Sequence, residues 1–232
     1  RWQRAANMEG RTLAEAMCGE DSSYPGVLGT AVVKLPELNG GRTGLSEEAA
    51  NKAGYDVISV VIATDDKAHY YPGAGMFIIK LIADKNSRKL LGVQVLGSGA
   101  VDKVTDVGVV ALTMGATIDQ LQNMDMAYAP PFSTAIHPFV TAINVLKNKL
   151  EGKMDSMTRA EFMQGKAEGY RIVDAALMPS ISGAPYVDLN TVTGEVKGLG
   201  KEEKLLLICN KGKRAYLLQN RLRFFGYTNT KV

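Results

Sequence analysis

Residues 75–96, GMFIIKLIADKNSRKLLGVQVL, decide the fold of the larger part of this chain. Two apolar segments rich in Ile, Leu and Val, residues 75–83 and 90–96, flank the polar run DKNSR at 84–88. Apolar β-forming runs on either side of a short polar turn are typical of a β-hairpin. The sequence therefore predicts two long antiparallel strands in the middle of the first 150 residues.

Helical patterns follow this hairpin. Apolar residues keep helical spacing over 101–114, with Gly115 as the stop, and a second long helix is predicted over 134–150, with Gly152 as its stop. Strands next to each other and helices grouped after them indicate an α+β fold with an antiparallel sheet. Upstream of the hairpin the patterns predict a helix over 8–17, a strand over 27–35, a helix over 47–53 capped by Ser46 and a strand over 55–63.

The character of the sequence changes after residues 152–156. A capping box at 158–161 is followed by predicted strands over 171–174 and 205–208 and by a helix over 214–225, an alternation typical of a small parallel α/β domain. The predicted organisation is thus a helix ending a preceding domain (1–19), an α+β domain (20–152) and a small α/β domain (157–232).

Cys209 lies where the apolar strand LLLI, residues 205–208, runs into the loop CNKGKR, residues 209–214. The end of a strand and the start of a helix converge there, and helix N-termini favour anions. Lys211, Lys213 and Arg214 add positive charge, which favours thiolate over thiol. These features predict a nucleophilic sulfur, although a cysteine that ends an apolar strand is also a common core residue.

The other candidate sites are weak. Cys18 follows a predicted helix without nearby cations, so we interpret it as structural. Gly97-Ser98-Gly99 lies between a strand and a helix but lacks the third glycine of a dinucleotide fingerprint. Two His and two Cys at dispersed positions do not have metal-ligand spacing, so no metal site is predicted.

Bulk properties exclude several classes of protein. The 232 residues are 46% hydrophobic and 22% charged, which is ordinary globular composition. A net charge of +3 does not indicate a nucleic-acid partner, and no apolar run is long enough for a membrane span. Two widely separated cysteines and no apparent signal peptide suggest a reducing, cytoplasmic location.

The loop at 209–214 resembles the active loop of rhodanese domains, which has the pattern Cys-x-x-Gly-x-Arg and carries a sulfane sulfur as a cysteine persulfide. The resemblance assigns the persulfide to Cys209 and its support to Arg214 and the loop residues Asn210, Lys211, Gly212 and Lys213. Residues 170–174 and 221–232 resemble flanking rhodanese segments. The sequence departs from the family at Ala176, where an arginine is usual, and lacks the closing strand after Val232.

Residues 5–150 resemble the C-terminal dimerization domain of flavin-dependent pyridine nucleotide-disulfide oxidoreductases, in the branch of coenzyme A-disulfide reductases, NADH oxidases and persulfide reductases. One branch of that family carries a fused rhodanese domain. Five segments carry the likeness: ANMEGR (6–11), TGLSEEA (43–49), HYYPG (69–73), VDKVTDV (101–107) and YAPPFS (128–133). The sequence AIHP at 135–138 differs from the usual Ala-Lys-Asp-Pro, and we expect His137 to have a local structural role.

The resemblance implies site residues and cofactors that the composition alone does not indicate. Tyr71 and Tyr128 are expected to reach across a homodimer toward the partner's catalytic thiol, and Ala6 and Asn7 to border the flavin. Packing against the core or the interface is the alternative for both tyrosines. FAD, NAD(P)H and CoA are implied for a full-length protein, whose nucleotide-binding domains do not occur in this sequence.

Together these patterns predict the C-terminal part of an FAD- and NAD(P)H-dependent reductase of CoA disulfides, persulfides or polysulfides. Its rhodanese-like tail would exchange sulfane sulfur at Cys209 with small-molecule donors and acceptors. Two alternatives stay open: a non-catalytic dimerization or interaction fragment, and a stand-alone sulfurtransferase.

Overall fold

The computed structural model describes residues 2–232, without the side chains of Trp2 and Arg4, and contains two separate sheets. The large sheet has five antiparallel strands in the order β1-β2-β5-β4-β3, and the small sheet has three parallel strands in the order β6-β7-β8. The elements are α1 (Trp2–Met17), β1 (Ala31–Lys34), β2 (Asn39–Gly44), α2 (Glu47–Lys52), β3 (Val57–Asp65), β4 (Met76–Asp84), β5 (Leu90–Gly97), α3 (Val101–Thr113), α4 (Ile118–Leu121), α5 (Pro138–Leu150), α6 (Arg159–Met163), β6 (Arg171–Asp174), β7 (Leu205–Ile208), α7 (Lys213–Phe224) and β8 (Thr230–Lys231), with a 3₁₀ turn at Leu189–Thr191.

The predicted hairpin forms β4 and β5, and the predicted antiparallel α+β arrangement of the larger part is confirmed. Helices α3 and α5 pack on the sheet, and the core between them contains Ile79, Leu81, Val93, Phe139 and Ile143. All five side chains are fully buried. Burial of one face of a sheet against helices is the main stabilising term in such a layer.

Strand β2 was not predicted from the sequence, because NGGRTG does not look like a strand. Its glycines are explained by the close approach of α3. A Cβ on Gly41 would collide with Thr105 Oγ1, and a Cβ on Gly108 of the helix would lie 2.8 Å from Val93 Cγ2. Glycine on both surfaces therefore allows the helix to pack directly on the backbone of the sheet.

Three helices begin at residues other than those predicted. Helix α1 begins at Trp2 rather than at residue 8, so Ala6 and Asn7 lie inside it and not ahead of it. Helix α5 begins at Pro138 rather than at 134, because proline disfavours helical backbone in the residue before it and is well suited to the first helical turn. Helix α7 begins one residue earlier than predicted, directly after Gly212.

The tip of the β4–β5 hairpin is held by backbone hydrogen bonds and by ion pairs. The Arg88 carbonyl accepts a hydrogen bond from the Ile118 N–H, and Leu90 donates its N–H to Ala116. The Arg88 side chain pairs with Asp119, with 2.9 Å between Nη2 and Oδ1, and lies 3.5 Å from Glu151. This network fixes the tip to α4 and to the end of α5.

The C-terminal unit, defined as residues 157–232, has its own apolar core. Leu205, Leu207, Leu218, Leu222 and Tyr227 are fully buried in it. The predicted strands 171–174 and 205–208 are observed, and β6 pairs in parallel with β7, which pairs in parallel with β8. The Val232 N–H donates to the Asp155 carbonyl, which ties the unit to the preceding segment, and Met157 N–H donates to the Val232 carbonyl within the unit.

Candidate functional site

Cys209 directly follows β7, in the loop that leads into α7. Gly212, at φ +79°, is the N-cap of α7 and contributes no side chain to the capping. The Ala215 N–H donates to Cys209 Sγ over 3.4 Å. The half-buried sulfur is therefore held at the N-terminus of a 12-residue helix, where backbone amides favour a negative charge.

Two of the three predicted cations of the loop form ion pairs with carboxylates. Lys211 Nζ lies 2.9 Å from Asp65 Oδ1 at the end of β3, and Arg214 Nη2 lies 2.9 Å from Asp188 Oδ1. Arg214 Nε also donates to the Ala175 carbonyl over 3.2 Å. Lys213 forms no ion pair with any residue in the described range 2–232 and is exposed. It is the loop cation that is free to meet an anionic ligand.

Asp174 holds the loop next to the sulfur in place. Its buried carboxylate, at the end of β6, accepts hydrogen bonds from the backbone N–H groups of Ala176, Ser180 and Ile181. Burial by itself would raise the pKa of Asp174, but these bonds outweigh it and lower the pKa below its ordinary value. Ala176, where the sequence departs from the rhodanese pattern, is buried and supplies one of the three N–H donors.

Asp188 holds the Arg214 side chain, as Asp174 holds the loop after β6. The hydrogen bond from the Asn190 N–H is the largest influence on the pKa of Asp188 and lowers it; burial opposes this, and the Arg214 guanidinium lowers the pKa further. Neither Asp65 nor Asp188 was predicted as a site residue. Asp65 is separated from Lys211 by 146 positions, so no local pattern could have indicated the pair.

Tyr71 and Tyr128 lie on loops of the larger part, far along the chain from Cys209. Their side chains are exposed, 38% for Tyr71 and 51% for Tyr128, so the structure does not place them in the core of this chain. Tyr70 is more exposed and stacks edge-on against His69. Phe132 and Ile136, on the same segment as Tyr128, are also exposed.

A small cavity of about 160 Å³ lies between these loops and the start of α3. Asp66, Lys103 and His137 are among its lining residues. His137 is buried, and its Nδ1 accepts the Phe139 N–H at the start of α5, which is the local structural role expected for it. Burial and then the charge of Lys103 lower the pKa of His137 to about 4, so the imidazole is neutral at pH 7.

Ala6 and Asn7, predicted to border a flavin, are exposed on α1. They present a small apolar group and a neutral amide, and neither occupies a core position. Cys18 follows α1 and is exposed, so it does not contribute to packing.

A larger groove of about 770 Å³ separates the outer edge of β3 from the C-terminal unit. The loop residues Lys211, Gly212 and Lys213 form part of its wall, together with α5 and the 154–159 segment. Within residues 2–232 there is no cluster of three or more His, Cys, Asp or Glu suited to a metal. In the same range, every helix is too short or too polar to cross a bilayer.

Comparison with known proteins shows what the larger part resembles. Residues 30–139 match the family model described as pyridine nucleotide-disulphide oxidoreductase, dimerisation domain. The chain is 37% identical over 143 residues to an NAD(P)H sulfur oxidoreductase (CoA-dependent) of Pyrococcus furiosus and 32% identical over 127 residues to a coenzyme A disulfide reductase of Staphylococcus epidermidis. These matches cover 62% and 54% of this chain, and 32% and 28% of the relatives. The larger part is thus similar to the dimerisation domain of this branch, and the chain spans about a third of the length of these relatives.

Two solved structures resemble the whole chain, including the C-terminal unit. An NAD-dependent persulfide reductase from A. fulgidus superimposes with a TM-score of 0.87 at 31% identity, over 97% of this chain and 41% of its own length. The reduced CoADR-RHD protein of Bacillus anthracis gives a TM-score of 0.89 at 30% identity, over 98% and 42%. The likeness therefore extends through both sheets and the segment that joins them.

Proposed function

We propose that this chain is the C-terminal part of an FAD- and NAD(P)H-dependent reductase of CoA disulfides, persulfides or polysulfides, with a rhodanese-like tail that carries sulfane sulfur on Cys209. The observation that carries the proposal is the position of the sulfur, which accepts an N–H bond at the start of α7 in a loop of the predicted spacing. The likeness of the whole chain to a persulfide reductase supports it.

The transfer step at Cys209 uses only groups of this chain and a sulfur donor. The Cys209 thiolate attacks the outer sulfur of a persulfide R–S–SH, so that a new S–S bond forms while the donor's S–S bond breaks and R–S⁻ leaves. The proton of the outer sulfur stays on it. The amides at the start of α7 then stabilise the negative charge when this persulfide ionises.

The roles of the loop side chains follow from their contacts. Lys213 attracts an anionic donor, whereas Lys211 and Arg214 fix the loop to Asp65 and Asp188 and so hold the sulfur in position. Arg214 is therefore assigned a positioning role in place of direct contact with the donor. Asn210 is exposed and, with Gly212, forms the turn that aims the first amides of the helix at the sulfur.

The larger part supplies the dimer contact and two phenols. Tyr71 and Tyr128 are exposed on two separate loops. Their hydroxyls would donate hydrogen bonds to a leaving thiolate in the partner's site. Bound FAD would pass electrons from NAD(P)H to the sulfur substrate. Ala6 and Asn7 fit the border of such a group because they expose no charge.

The test of the sulfur-carrier role uses the chain's second cysteine as a matched control. The protein is treated with polysulfide, freed of excess reagent and then treated with cyanide, and the released thiocyanate is measured. The wild type and Cys18→Ser are expected to release about one equivalent per chain, and Cys209→Ser none, since only Cys209 has amide support. Equal loss of thiocyanate in the two variants would contradict the assignment.

The redox role is tested in a flavoprotein that carries this chain. Tyr128→Phe and Tyr71→Phe are expected to slow NAD(P)H oxidation by CoA disulfide about 10-fold or more, which is the scale of a lost proton donor. Tyr70→Phe, which removes the hydroxyl of the adjacent and more exposed tyrosine, is the control. Unchanged rates in the first two variants would favour the interpretation as a dimerization module alone.

A further inference from the structure

The groove between β3 and the C-terminal unit contains a lysine with an unusual set of neighbours. Lys149, near the end of α5, lines the groove and is only partly exposed. Its Nζ donates to the Ser59 carbonyl over 3.2 Å. β3 is an edge strand of the large sheet, and Ser59 lines the same groove.

The carboxylates around Lys149 are engaged by other groups. Glu47 pairs with Lys80, and Asp155 pairs with Lys231 at 2.9 Å. Glu161 accepts from Thr158 in the capping box of α6 and lies 3.5 Å from Lys166. Within residues 2–232, no ion pair involves Lys149. The ammonium form of this side chain therefore has one neutral acceptor and no direct counter-ion.

The walls of the groove favour the uncharged amine as well. Val145, Met154 and Tyr216 line the groove together with Lys149, and Tyr216 and Val145 also pack against the core of the large sheet. An apolar setting without a counter-ion disfavours the charged form of a lysine. Arg159 and Lys213, which form no ion pair in the described residues, line the same groove and would attract an anionic reagent to it.

We propose that Lys149 is an acylation site, whose amine accepts acyl groups from thioesters that enter the groove. The amine nitrogen attacks the thioester carbonyl carbon, a C–N bond forms and the C–S bond breaks. The sulfur leaves as thiolate and takes up the proton that the nitrogen loses, so the products are an amide and a thiol. The reaction needs no oxidant or reductant, and it does not depend on sulfur transfer at Cys209.

The protonation of Lys149 agrees with this reactivity. Burial lowers its pKa below the ordinary value, and the charge of Lys231 acts in the same direction. Glu161, Asp155 and Glu47 act in the opposite direction without cancelling the effect of burial. By contrast, hydrogen bonding to Asp119 raises the pKa of Lys147, two positions earlier on the same helix. Each unit by which a pKa is lowered increases the free-amine fraction about tenfold at a pH below it.

The experiment compares acetylation rates of individual lysines by mass spectrometry. The whole chain is incubated at pH 7.5 with S-acetyl-N-acetylcysteamine, a neutral thioester, or with acetyl-CoA, an anionic one. Lys149 is expected to be labelled several-fold faster than Lys147 and than the exposed Lys197, and the preference should vanish in urea. Equal rates in the folded protein, or a preference that survives in urea, would overturn the proposal.

Two variants test separately the surroundings of Lys149 and the lysine itself. Val145→Glu places a carboxylate four residues before Lys149 on the same face of α5, and it should reduce the labelling of Lys149 toward that of Lys197. Lys149→Arg keeps the positive charge and should remove only the label at position 149. A melting curve of each variant establishes that the fold is retained. If Val145→Glu folds and leaves the Lys149 rate unchanged, the proposal is wrong.

Discussion

The large sheet and the C-terminal unit solve the same packing problem in different ways. In the large sheet, hairpin-connected antiparallel strands bury one continuous apolar face under α3 and α5. In the C-terminal unit, three short parallel strands leave a long irregular segment over 175–204, which is held by buried polar groups such as Asp174 and the Tyr227 hydroxyl. The comparison teaches that the large sheet is held mainly by its apolar face, whereas the C-terminal unit adds to its apolar core a few hydrogen bonds from side chain to backbone.

Among the tests of this comparison, the largest loss of stability is expected for a substitution of Asp174. Asp174→Asn replaces a carboxylate that accepts three backbone N–H bonds by a group with a single acceptor oxygen. We expect a loss of about 2–4 kcal/mol in the free energy of unfolding of the C-terminal unit. Amide hydrogen exchange should show faster exchange in residues 171–232 and little change in β3–β5.

Asp188→Asn is the control for that experiment, because its carboxylate is more exposed and it has one cationic partner. Its loss in the free energy of unfolding should be smaller than that of Asp174→Asn. Equal loss of protection in both sheets would show that the two regions unfold as one unit.

His137 gives the large sheet a dependence on pH. Its folded pKa of about 4 lies below the ordinary 6.5, so the unfolded chain binds a proton more readily. This contribution to stability is complete above pH 6.5 and is lost as the pH falls toward 4. We expect a decrease of about 1–3 kcal/mol over that range, measured by urea unfolding at several pH values.

His137→Asn sharpens this test, because asparagine can still accept the N–H bond at the start of α5 but does not titrate. The decrease between pH 6.5 and 4 should become smaller in the variant. A wild-type stability that is flat over that range would contradict the assignment of a buried neutral imidazole.

A smaller loss of stability is expected for a substitution of Gln219, which lies where the two regions meet. The Gln219 amide accepts the Asp155 N–H at 3.1 Å and donates to the carbonyls of Asp155 and Thr230, at 2.8 Å each. Gln219→Leu keeps the volume but leaves these backbone groups without their partner. We expect a loss of about 1–2 kcal/mol, visible as lower protection of β8 and of residues 153–157. Asn220→Leu, on the same helix, should cost less.

The smallest effect on stability is expected for the Lys211–Asp65 ion pair. Both side chains are partly exposed, so Asp65→Asn should change the free energy of unfolding by less than about 1 kcal/mol. It should nevertheless free Lys211 and increase the rate at which anionic iodoacetate alkylates Cys209, with a smaller change for neutral iodoacetamide. Equal changes for both reagents would indicate a movement of the loop rather than a change in charge.

The same contrast explains what the sequence could predict. The hairpin, helix α3 and the strand before Cys209 follow from apolar periodicity, and the structure has all three. Strand β2 was missed because its glycines serve the approach of α3, which is not visible in a local window. Helix α5 begins at Pro138 rather than at 134, because the proline disfavours helical backbone in the residue before it, an effect that apolar periodicity does not contain.

For the site, the sequence indicated the sulfur loop but not its supports. Asp65 and Asp188 pair with Lys211 and Arg214 across the fold, and neither carboxylate stands in a recognisable motif. Lys211 and Arg214 pair with Asp65 and Asp188, and the positioning role proposed for both residues rests on these contacts. Long-range pairing of this kind depends on how the sheets are placed, which local patterns do not encode.

The bound tip of the β4–β5 hairpin has a practical consequence for anyone who wishes to splice a foreign segment into this protein. A polar five-residue turn would ordinarily be a first choice for an epitope or a fluorescent reporter. Here Arg88 and its neighbours hold α4 and the end of α5 through backbone and side-chain bonds, so an insertion would pull on both helices. The segment around Gly194, which is partly exposed and whose glycine has open space around it, is the better point of entry.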